Sequence, residues 1–580
     1  MNLETKKRLL AVSRGDKPAD LLLKNVTLAN TISHEMEQTN VAIFEGRIAG
    51  FGEYQAVETI DLHGGLIGPA LLDGHIHIES TLLTPPEFAR IVVPFGTGGV
   101  FCDPHEIANV LGSGGIQYIL ESSEGLPMTV WVMIPSCVPA TNMETSGAKM
   151  LARDMQPFLG HPRVRGIAEV MNFPGVVLGL DEVLEKIELG TGRPIDGHAP
   201  GVRGKWLNAY VAAGVETDHE STSLAEAHEK LRRGMAVFIR EGSTAKNLEA
   251  LLPLVKPETA HLFAFVSDDR HADELLTEGH MNATLQKAVK MGLDPLTALS
   301  MSSTNTARLF GVMDTGVVAP GRFADLVHYE DLKSFRALRV WHKGSEVARD
   351  GELLVSIQKP ALHGVKDTVK LPPVSLDSIK IPSHAEVNII DVIPDQIVTG
   401  GSTARLPESN GNLTCSPGQD IAKLIVIERH GKSGSIGRGF VRGFGISSGA
   451  IASTVAHDSH NLICCGMSDD DMLVATRTLG EVGGGWIVVQ KGKVLACLPL
   501  PIAGLMSDKS ASEIAPELDE LHNAAKSLGC KLNSPFMTLS FLALPVIPSL
   551  KLTDQGLVDV NKFSIIPLGV SHEGEAANLF

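Results

Sequence analysis

The sequence has little cysteine and no long apolar run. Its 580 residues include seven cysteines, none in a CxxC pair, which argues against a disulfide scaffold and predicts buried, reduced thiols. No apolar stretch reaches the roughly 20 residues that a membrane-spanning helix requires. The first residues lack the apolar core and small-residue cleavage site of a signal peptide. From these absences we expect a cytoplasmic protein that does not cross a membrane.

Excess positive charge is absent as well. The 50 Lys and Arg residues are outnumbered by 67 Asp and Glu residues, which leaves a formal net charge of −17. This balance argues against nucleic acid or an anionic membrane surface as a partner. Apolar residues make up 43% and charged residues 20% of the chain, as in ordinary globular proteins. The length exceeds what one hydrophobic core supports, so about two to four domains are expected.

The apolar pattern divides the chain into four regions. Residues 1–66 and 313–375 show short alternating strands between turn residues, and we expect them to pair into one small β-sandwich domain. Residues 67–312 alternate apolar strands with helical segments. Eight such units within about 240 residues are typical of a closed parallel TIM-like (β/α)₈ barrel. Residues 376–580 mix strands and helices and predict an additional C-terminal α+β domain. The predicted fold class is therefore α/β.

Six residues at the predicted strand ends carry the strongest functional signal. The predicted barrel strands are 66–77, 98–106, 128–135, 164–170, 193–199, 214–221, 235–243 and 262–269. His75 and His77 face the same side of the first strand, because side chains alternate along a strand. Four more candidates end strands four, five, six and eight: Glu169, His198, His219 and Asp268. Singly they could be surface or core histidines or a helix N-cap. Six such residues at the same depth of the barrel favour their interpretation as metal ligands.

The ligand types indicate two metals. Imidazole and carboxylate without thiolate suit zinc, iron(II) or manganese. Six ligands are too many for one catalytic metal with an open position, whereas two metals bridged by a carboxylate accommodate them. Glu169 has two oxygens to share and is the predicted bridge. The other ligands divide between the metals, with His75, His77 and Asp268 on the first and His198 and His219 on the second.

These residues resemble the amidohydrolase superfamily of metal-dependent hydrolases. The resemblance is carried by DGHIH on the first strand, the histidines that end strands five and six, Asp268, and the later segment GVVAPGRFADLV. Many binuclear members place a carboxylated lysine on strand four, where this sequence has Glu169 in GIAEVMNFPG. Another departure is Pro69-Ala70, where the superfamily often has Pro-Gly. Glu169 therefore restricts the resemblance to those families of the superfamily that lack the strand-four lysine.

More specifically, the chain is similar to the bacterial adenine deaminases along essentially its whole length. The matching segments are GPALLDGHIHIES, FCDPHEIANVLG, IAEVMNFPGV, DGHAPG, TDHES, SDDRHADEL and GAIASTVAHDSHN. This resemblance implies hydrolysis of adenine to hypoxanthine and ammonia in purine salvage. It implies a binuclear divalent centre with manganese or iron(II), zinc being an alternative, and a homo-oligomer.

Deamination also requires groups that move protons. Asp268 would take a proton from the nucleophile and pass it to the departing amine. Glu106, expected in the loop after strand two, is the candidate acid for the purine ring nitrogen. The alternative is that Glu106 serves only as an acidic residue in the first turn of the next helix.

Nine further residues are candidates for orienting ligands or substrate. They are Asp103, His105, Glu220, Asp269, Arg270, His271, His457, Asp458 and His460. Arg270 could equally form a surface ion pair. The segment 457–461 could cap the pocket or form a polar turn that stabilises its own loop.

Two other function classes fit part of the pattern. A cyclic-amide hydrolase or amino-sugar deacetylase would use the same barrel, but the glutamate on strand four and the long C-terminal region count against both. A non-catalytic metal-binding scaffold would not need the complete ligand set together with a candidate acid. Adenine deamination is the preferred hypothesis.

Overall fold

The computed structural model describes residues 1–394 and 396–570. The chain divides into two compact units. Unit 1 comprises residues 1–105, 113–137 and 150–361, and unit 2 comprises residues 106–112, 138–149 and 362–580. Residues 571–580, which end the predicted C-terminal domain, lie outside the described residues.

Unit 1 begins with a helix and five strands rich in alternating apolar residues. These elements are α1 (Leu3–Ser13), β1 (Ala19–Asn30), β2 (Glu35–Phe44), β3 (Arg47–Phe51), β4 (Ala56–Asp61) and β5 (Leu66–Pro69). Strand β1 pairs antiparallel with β2 and parallel with β4 and β5. Asn2 caps α1 by accepting a hydrogen bond from the backbone N–H of Thr5.

Eight parallel strands form the barrel that the sequence predicts. They are β6 (Leu71–Ile76), β7 (Thr97–Cys102), β8 (Thr129–Ile134), β9 (Val164–Val170), β10 (Ile195–Gly197), β11 (Thr217–Asp218), β12 (Ala236–Arg240) and β13 (Phe263–Val266). Strands β6 to β10 form one parallel sheet and β11 to β13 another. The Glu216 N–H donates to the Ile195 carbonyl at 3.0 Å and the Asp268 N–H to the His75 carbonyl at 2.9 Å, which joins the two sheets at both edges.

Helices connect the barrel strands and follow the last one. They are α2 (Pro85–Val92), α3 (His105–Leu111), α4 (Ser113–Ser122), α5 (Ala152–Met155), α6 (Phe173–Val177), α7 (Asp181–Glu188), α8 (Gly204–Ala212), α9 (Leu224–Arg232), α10 (Leu248–Leu251), α11 (Ala272–Glu278), α12 (Met281–Lys290), α13 (Pro295–Met301) and α14 (Thr304–Leu309). Leu72, Phe101 and Phe238 belong to the buried core of the barrel. This apolar layer supports the polar residues nearer the carboxyl ends of the strands.

Four strands after the barrel complete the sheet that precedes it. They are β14 (Leu326–Tyr329), β15 (Ala337–His342), β16 (Ser345–Arg349) and β17 (Glu352–Leu353). Segments from both sides of the barrel pair, because β14 lies antiparallel to β5. Leu28 of β1 and Trp341 of β15 share one buried apolar core. The result is a nine-stranded sheet built from both ends of unit 1.

The prediction of a single strand over 66–77 is wrong. The chain changes pairing partners at Ala70, whose N–H donates to the Asp325 carbonyl at 3.0 Å, whereas the Leu71 N–H donates to the Gly96 carbonyl at 2.9 Å. Pro69 has no N–H to donate, although its carbonyl accepts a hydrogen bond from the Tyr329 hydroxyl at 2.9 Å. The apolar run therefore supplies β5 to the small sheet and β6 to the barrel.

Unit 2 has the mixed α and β composition expected of the C-terminal region. Its strands are β18 (Val387–Val392), β19 (Thr399–Ala404), β20 (Glu408–Ser409), β21 (Asn412–Leu413), β22 (Ile421–Ile427), β23 (Ile436–Arg442), β24 (Ala450–Ser453), β25 (Leu462–Gly466), β26 (Gly485–Gln490), β27 (Lys493–Pro499), β28 (Leu550–Thr553), β29 (Gly556–Asp559) and β30 (Ser564–Ile566). Its further helices are α15 (Asp469–Glu481), α16 (Ala511–Ser527) and α17 (Pro535–Phe541). Strands β18, β19 and β22 to β27 form a mainly antiparallel sheet. No helix within the described ranges is both long and apolar enough to cross a bilayer.

Candidate metal centre

The barrel brings the six predicted metal ligands to one buried cluster. Strand β6 carries His75 and is followed by His77, and β9 carries Glu169. The remaining three follow directly after β10 and β11 or close after β13: His198, His219 and Asp268. None of the six is more than 4% exposed. Because the carboxyl ends of parallel strands meet at one rim of a barrel, their side chains converge there.

Three of these side chains form the first group of donor atoms. Nε2 of His75 lies 3.1 Å from Nε2 of His77. Oδ1 of Asp268 lies 3.2 Å from Nε2 of His77 and 3.8 Å from Nε2 of His75. Atoms that share a metal at bond lengths near 2.1 Å are roughly 3.0–3.5 Å apart. The spacing of this group is thus close to that of a metal site.

Glu169 directs its two oxygens to different groups. Oε1 lies 3.3 Å from Nε2 of His77, within the first group. Oε2 lies 2.6 Å from Nδ1 of His198 and 3.3 Å from Nε2 of His219. The carboxylate therefore faces two sets of imidazoles, one with each oxygen. A nitrogen and oxygen donor set that shares one carboxylate fits a pair of divalent metals.

The electrostatics of the cluster keep its carboxylates ionised. Burial by itself would raise the pKa of Glu169, but His198, His219 and His77 hold this pKa well below its usual range. Burial would lower the pKa of His219, but its contacts with Asp196 and Glu169 raise it well above the ordinary value. The anionic oxygens attract a cation that displaces imidazole protons, which couples metal binding to proton release.

The backbone of Asp268 is arranged to turn its side chain towards the cluster. Its φ of +58° lies in the left-handed region, which aspartate adopts more readily than most residues. Its N–H donates to the carbonyl of His75 at 2.9 Å and its carbonyl accepts from the N–H of His77 at 3.3 Å. These bonds fix the last strand beside the first, and with it the position of the carboxylate.

Sequence reasoning missed two buried residues that contact the predicted ligands. Oδ2 of Asp196 lies 2.8 Å from Nδ1 of His75. Arg240 ends β12 and contacts Oδ2 of Asp268. Asp196 precedes His198 by two positions, so the alternation that paired the first two histidines could have identified it. For Arg240 the signal was its place at the end of the seventh strand.

Three predicted orienting residues lie beside the donor groups. Nδ1 of His105 is 3.0 Å from Oδ2 of Asp103 and 3.5 Å from Oε1 of Glu169. Oε1 of Glu220 is 3.6 Å from Nδ1 of His198. Glu220 also pairs with Arg240, whose Nη1 is 2.5 Å from Oε1. These contacts are of the kind that orient metal ligands.

The three predicted orienting residues that follow Asp268 make hydrogen bonds and an ion pair. Asp269 accepts a hydrogen bond from the hydroxyl of Ser80 at 2.6 Å. Arg270 forms an ion pair with Glu278 at 2.8 Å, but its side chain is buried rather than on the surface. The N–H of His271 donates a hydrogen bond to the hydroxyl of Ser243 at 3.1 Å.

Unit 2 contains a buried cluster around Glu106. The structure places Glu106 in the first turn of α3 rather than in a loop, because the helix begins at His105. Oε1 of Glu106 is 2.7 Å from Nδ1 of His457, and Oε2 contacts Nε2 of His460. Oδ1 of Asp458 lies 3.7 Å from Nδ1 of His457. Glu106 is thus both a first-turn acid and the partner of two histidines.

Comparison with known proteins assigns the family. Residues 66–347 match the amidohydrolase family, and residues 396–564 match the adenine deaminase C-terminal domain. Adenine deaminase 2 of Carboxydothermus hydrogenoformans is 47% identical over 97% of this chain and 99% of its own length. The chain belongs to the adenine deaminase family.

Further adenine deaminases resemble the chain to a similar extent. That of Desulfatibacillum aliphaticivorans is 45% identical over 97% of this chain and 99% of its own length. A crystal structure of an adenine deaminase shares 17% identity, with a TM-score of 0.44 over 57% of this chain and 99% of that one. Membership of the adenine deaminase family rests on the sequence relatives, which match both units.

Proposed function

We propose that this chain hydrolyses adenine to hypoxanthine and ammonia. The observation that carries the proposal is the 47% identity, over 97% of the chain, to a protein named adenine deaminase 2. The buried cluster supports it, since Glu169 faces one set of imidazoles with each carboxylate oxygen. A cyclic-amide hydrolase or deacetylase is less well supported, because residues 396–564 match a domain named for adenine deaminase.

The six strand-end residues are proposed to hold two divalent metals. His75, His77 and Asp268 would bind the first metal, His198 and His219 the second, and Glu169 both. The proposed metal is manganese or iron(II) at both positions, and zinc is also compatible with nitrogen and carboxylate donors. Such metals lower the pKa of a water molecule and would supply the nucleophile near neutral pH.

The chain's own carboxylates would move the protons. The reaction forms a C–O bond at the amine-bearing ring carbon and breaks the C–N bond. Asp268 would take a proton from the nucleophile and deliver it to the departing nitrogen, which leaves as ammonia. Glu106 would donate the proton that the ring nitrogen keeps and would regain one from water. The two protons of the consumed water thereby end on the ring nitrogen and on ammonia.

The proposed substrate is the free purine base. A net charge of −17 argues against nucleic acid or an anionic membrane as the partner. We further propose that the protein acts in the cytoplasm, in purine salvage, as a homo-oligomer.

A substrate panel tests the function. Apoprotein would be reconstituted with manganese and assayed for ammonia release from adenine and adenosine, and for ring opening of a hydantoin. Adenine should be the preferred substrate, and metal-free protein provides the blank. Absence of ammonia from adenine would refute the proposal. A preference for adenosine would correct the substrate, and hydantoin hydrolysis would favour the cyclic-amide alternative.

A further inference from the structure

Asp196 lies behind two histidines that belong to different donor groups. Its side chain is buried, and Oδ2 is 2.8 Å from Nδ1 of His75 and 3.6 Å from Nδ1 of His219. The two imidazole rings stack, with centroids 4.1 Å apart and an angle of 24° between their planes. The same carboxylate oxygen is therefore within hydrogen-bond distance of the His75 ring and close to the His219 ring.

The other nitrogens of the same two rings point to the donor atoms. Nε2 of His75 is 3.1 Å from Nε2 of His77, in the first group. Nε2 of His219 is 3.3 Å from Oε2 of Glu169, in the second group. In both rings Nδ1 faces Asp196 and Nε2 faces the cluster.

This arrangement decides which nitrogen can bind a metal. A neutral imidazole carries one proton, and only its unprotonated nitrogen has a lone pair for a metal. A carboxylate that accepts a hydrogen bond from Nδ1–H leaves Nε2 as the ligand atom. Asp196 would thus fix the tautomer of His75 by a hydrogen bond, and its charge would favour the same tautomer in His219, whose Nδ1 is 3.6 Å away.

Asp196 is itself held in place. Its Oδ1 accepts a hydrogen bond from the N–H of Gly197 at 2.8 Å and another from the hydroxyl of Thr217. These two donors belong to β10 and β11. Rotation of the carboxylate away from the two rings would break both hydrogen bonds. Asp196 is therefore a firmly held carboxylate beside one histidine of each donor group.

We propose that Asp196 is a positioning residue that couples the two metals of the centre by fixing one histidine ligand of each. The inference rests on the proposed binuclear site. Loss of the carboxylate weakens binding of both metals together, whereas loss of a single ligand acts chiefly on its own metal. Mutation of such supporting groups typically lowers metal affinity by about 10–100-fold.

Metal titration of the full-length apoprotein tests this coupling. Manganese binding to wild type and to Asp196→Asn would be measured by equilibrium dialysis with elemental analysis, without adenine. An asparagine has no charge, and because Oδ1 of Asp196 already accepts from the Gly197 N–H, the amide oxygen would take that place and the donating NH₂ group would face both rings. Both manganese affinities should fall about 10–100-fold. A loss confined to one metal, or no loss, would overturn the proposal.

Asp325→Asn provides the matched control. Asp325 is also a buried carboxylate of unit 1, with Oδ1 3.0 Å from Nδ1 of His342 and Oδ2 accepting from the hydroxyl of Thr315. Its removal disturbs a similar Asp–His–Thr contact outside the cluster. Both manganese affinities of this variant should match wild type, and a comparable loss would show that general destabilisation, not tautomer control, explains Asp196→Asn.

A second variant covers the case in which Asp196→Asn fails to fold. Thr217→Val removes only the hydroxyl that holds Oδ1 of Asp196. It should weaken both metals by a smaller factor, and unchanged affinities would count against the proposal. The readout is independent of the reaction. If wild type binds two metals but does not deaminate adenine, the proposed function fails while the role of Asp196 is still decided.

Discussion

Arg240 donates a hydrogen bond to Oδ2 of Asp268, whose other oxygen lies 3.2 Å from Nε2 of His77. Burial by itself would raise the pKa of Asp268, but Arg240 and the nearby histidines hold it well below the usual range. The guanidinium thus keeps Asp268 ionised and fixes the orientation of its carboxylate. In the proposed reaction, Asp268 would therefore start in the anionic form, the form that can accept a proton.

Arg240→Gln should lower kcat for adenine about 100-fold or more, the range attributed to a positioned proton carrier. The glutamine removes the charge opposite Asp268 and Glu220, and both carboxylates would then repel each other. Steady-state kinetics with elemental analysis would check this. Arg165→Gln is the control, because Arg165 donates to the backbone carbonyl of Gly311 at 2.8 Å. Equal activity of the two variants would contradict the assigned role.

Glu169→Gln should reduce bound metal well below two per chain. A neutral amide has one accepting oxygen, so it cannot serve both imidazole groups as the carboxylate does. Elemental analysis of protein purified after manganese supplementation would measure the loss. Glu216→Gln changes an exposed glutamate just before β11 and should retain the wild-type metal content. Two metals in Glu169→Gln, with near-normal turnover, would rule out the bridging role.

Glu106→Gln should retain two metals but lose about 10²–10⁴-fold in kcat, because an amide cannot donate a proton to the ring nitrogen. Near-normal kcat would leave Glu106 as a first-turn helix acid alone. Glu121→Gln, on the exposed side of α4, is the control and should behave as wild type. Adenine turnover and metal content need to be measured on the same preparation.

The fully buried Lys551 predicts a distinct pH dependence of stability. Burial lowers the pKa of its amine to about 7, and the amine donates to the carbonyls of Ile397 and Phe541 at 2.8 and 2.9 Å. Between pH 7 and about 10.5 the unfolded chain binds a proton that the folded chain does not, so stability should rise with pH. The contribution is about 1.4 kcal/mol per pH unit.

Lys551→Met should remove this contribution. The measured quantity is the difference in the free energy of unfolding between wild type and variant, followed as the pH changes. Urea unfolding at intervals from pH 7 to 10 would provide it. Lys531→Met replaces an exposed lysine of unit 2 and should leave the pH dependence unchanged. If the free energies of unfolding of wild type and Lys551→Met differ by a constant amount across this range, Lys551 stays charged in the folded protein.

Most of the donor cluster could be predicted because strand periodicity and barrel topology determine it. His75 and His77 share a face by alternation, and the ends of parallel strands meet at one rim. Asp196 and Arg240 escaped prediction because an aspartate or arginine near a strand end has many ordinary roles. Alternation and strand position could have placed both residues near the donor cluster, but only the folded barrel shows which atoms they reach.

Contacts between distant segments were also beyond the sequence. Glu106 and His457 are 351 positions apart, and neither local pattern indicates the other. The division of residues 66–77 into β5 and β6 was missed because both halves are apolar. Only the pairing partners, not the hydropathy, distinguish a strand of the small sheet from one of the barrel.

The pairing of β5 with β14 has a consequence for synthesis on the ribosome. The Tyr329 hydroxyl and the Pro69 carbonyl that it contacts are 260 positions apart. At about 5–20 residues per second, β5 would emerge roughly 13–50 s before β14. Throughout that interval one edge of the nascent ribbon has no antiparallel neighbour and is open to pairing with foreign strands. Chains that stall within the barrel would keep this edge exposed, so translation speed across residues 70–325 bears on the yield of folded protein.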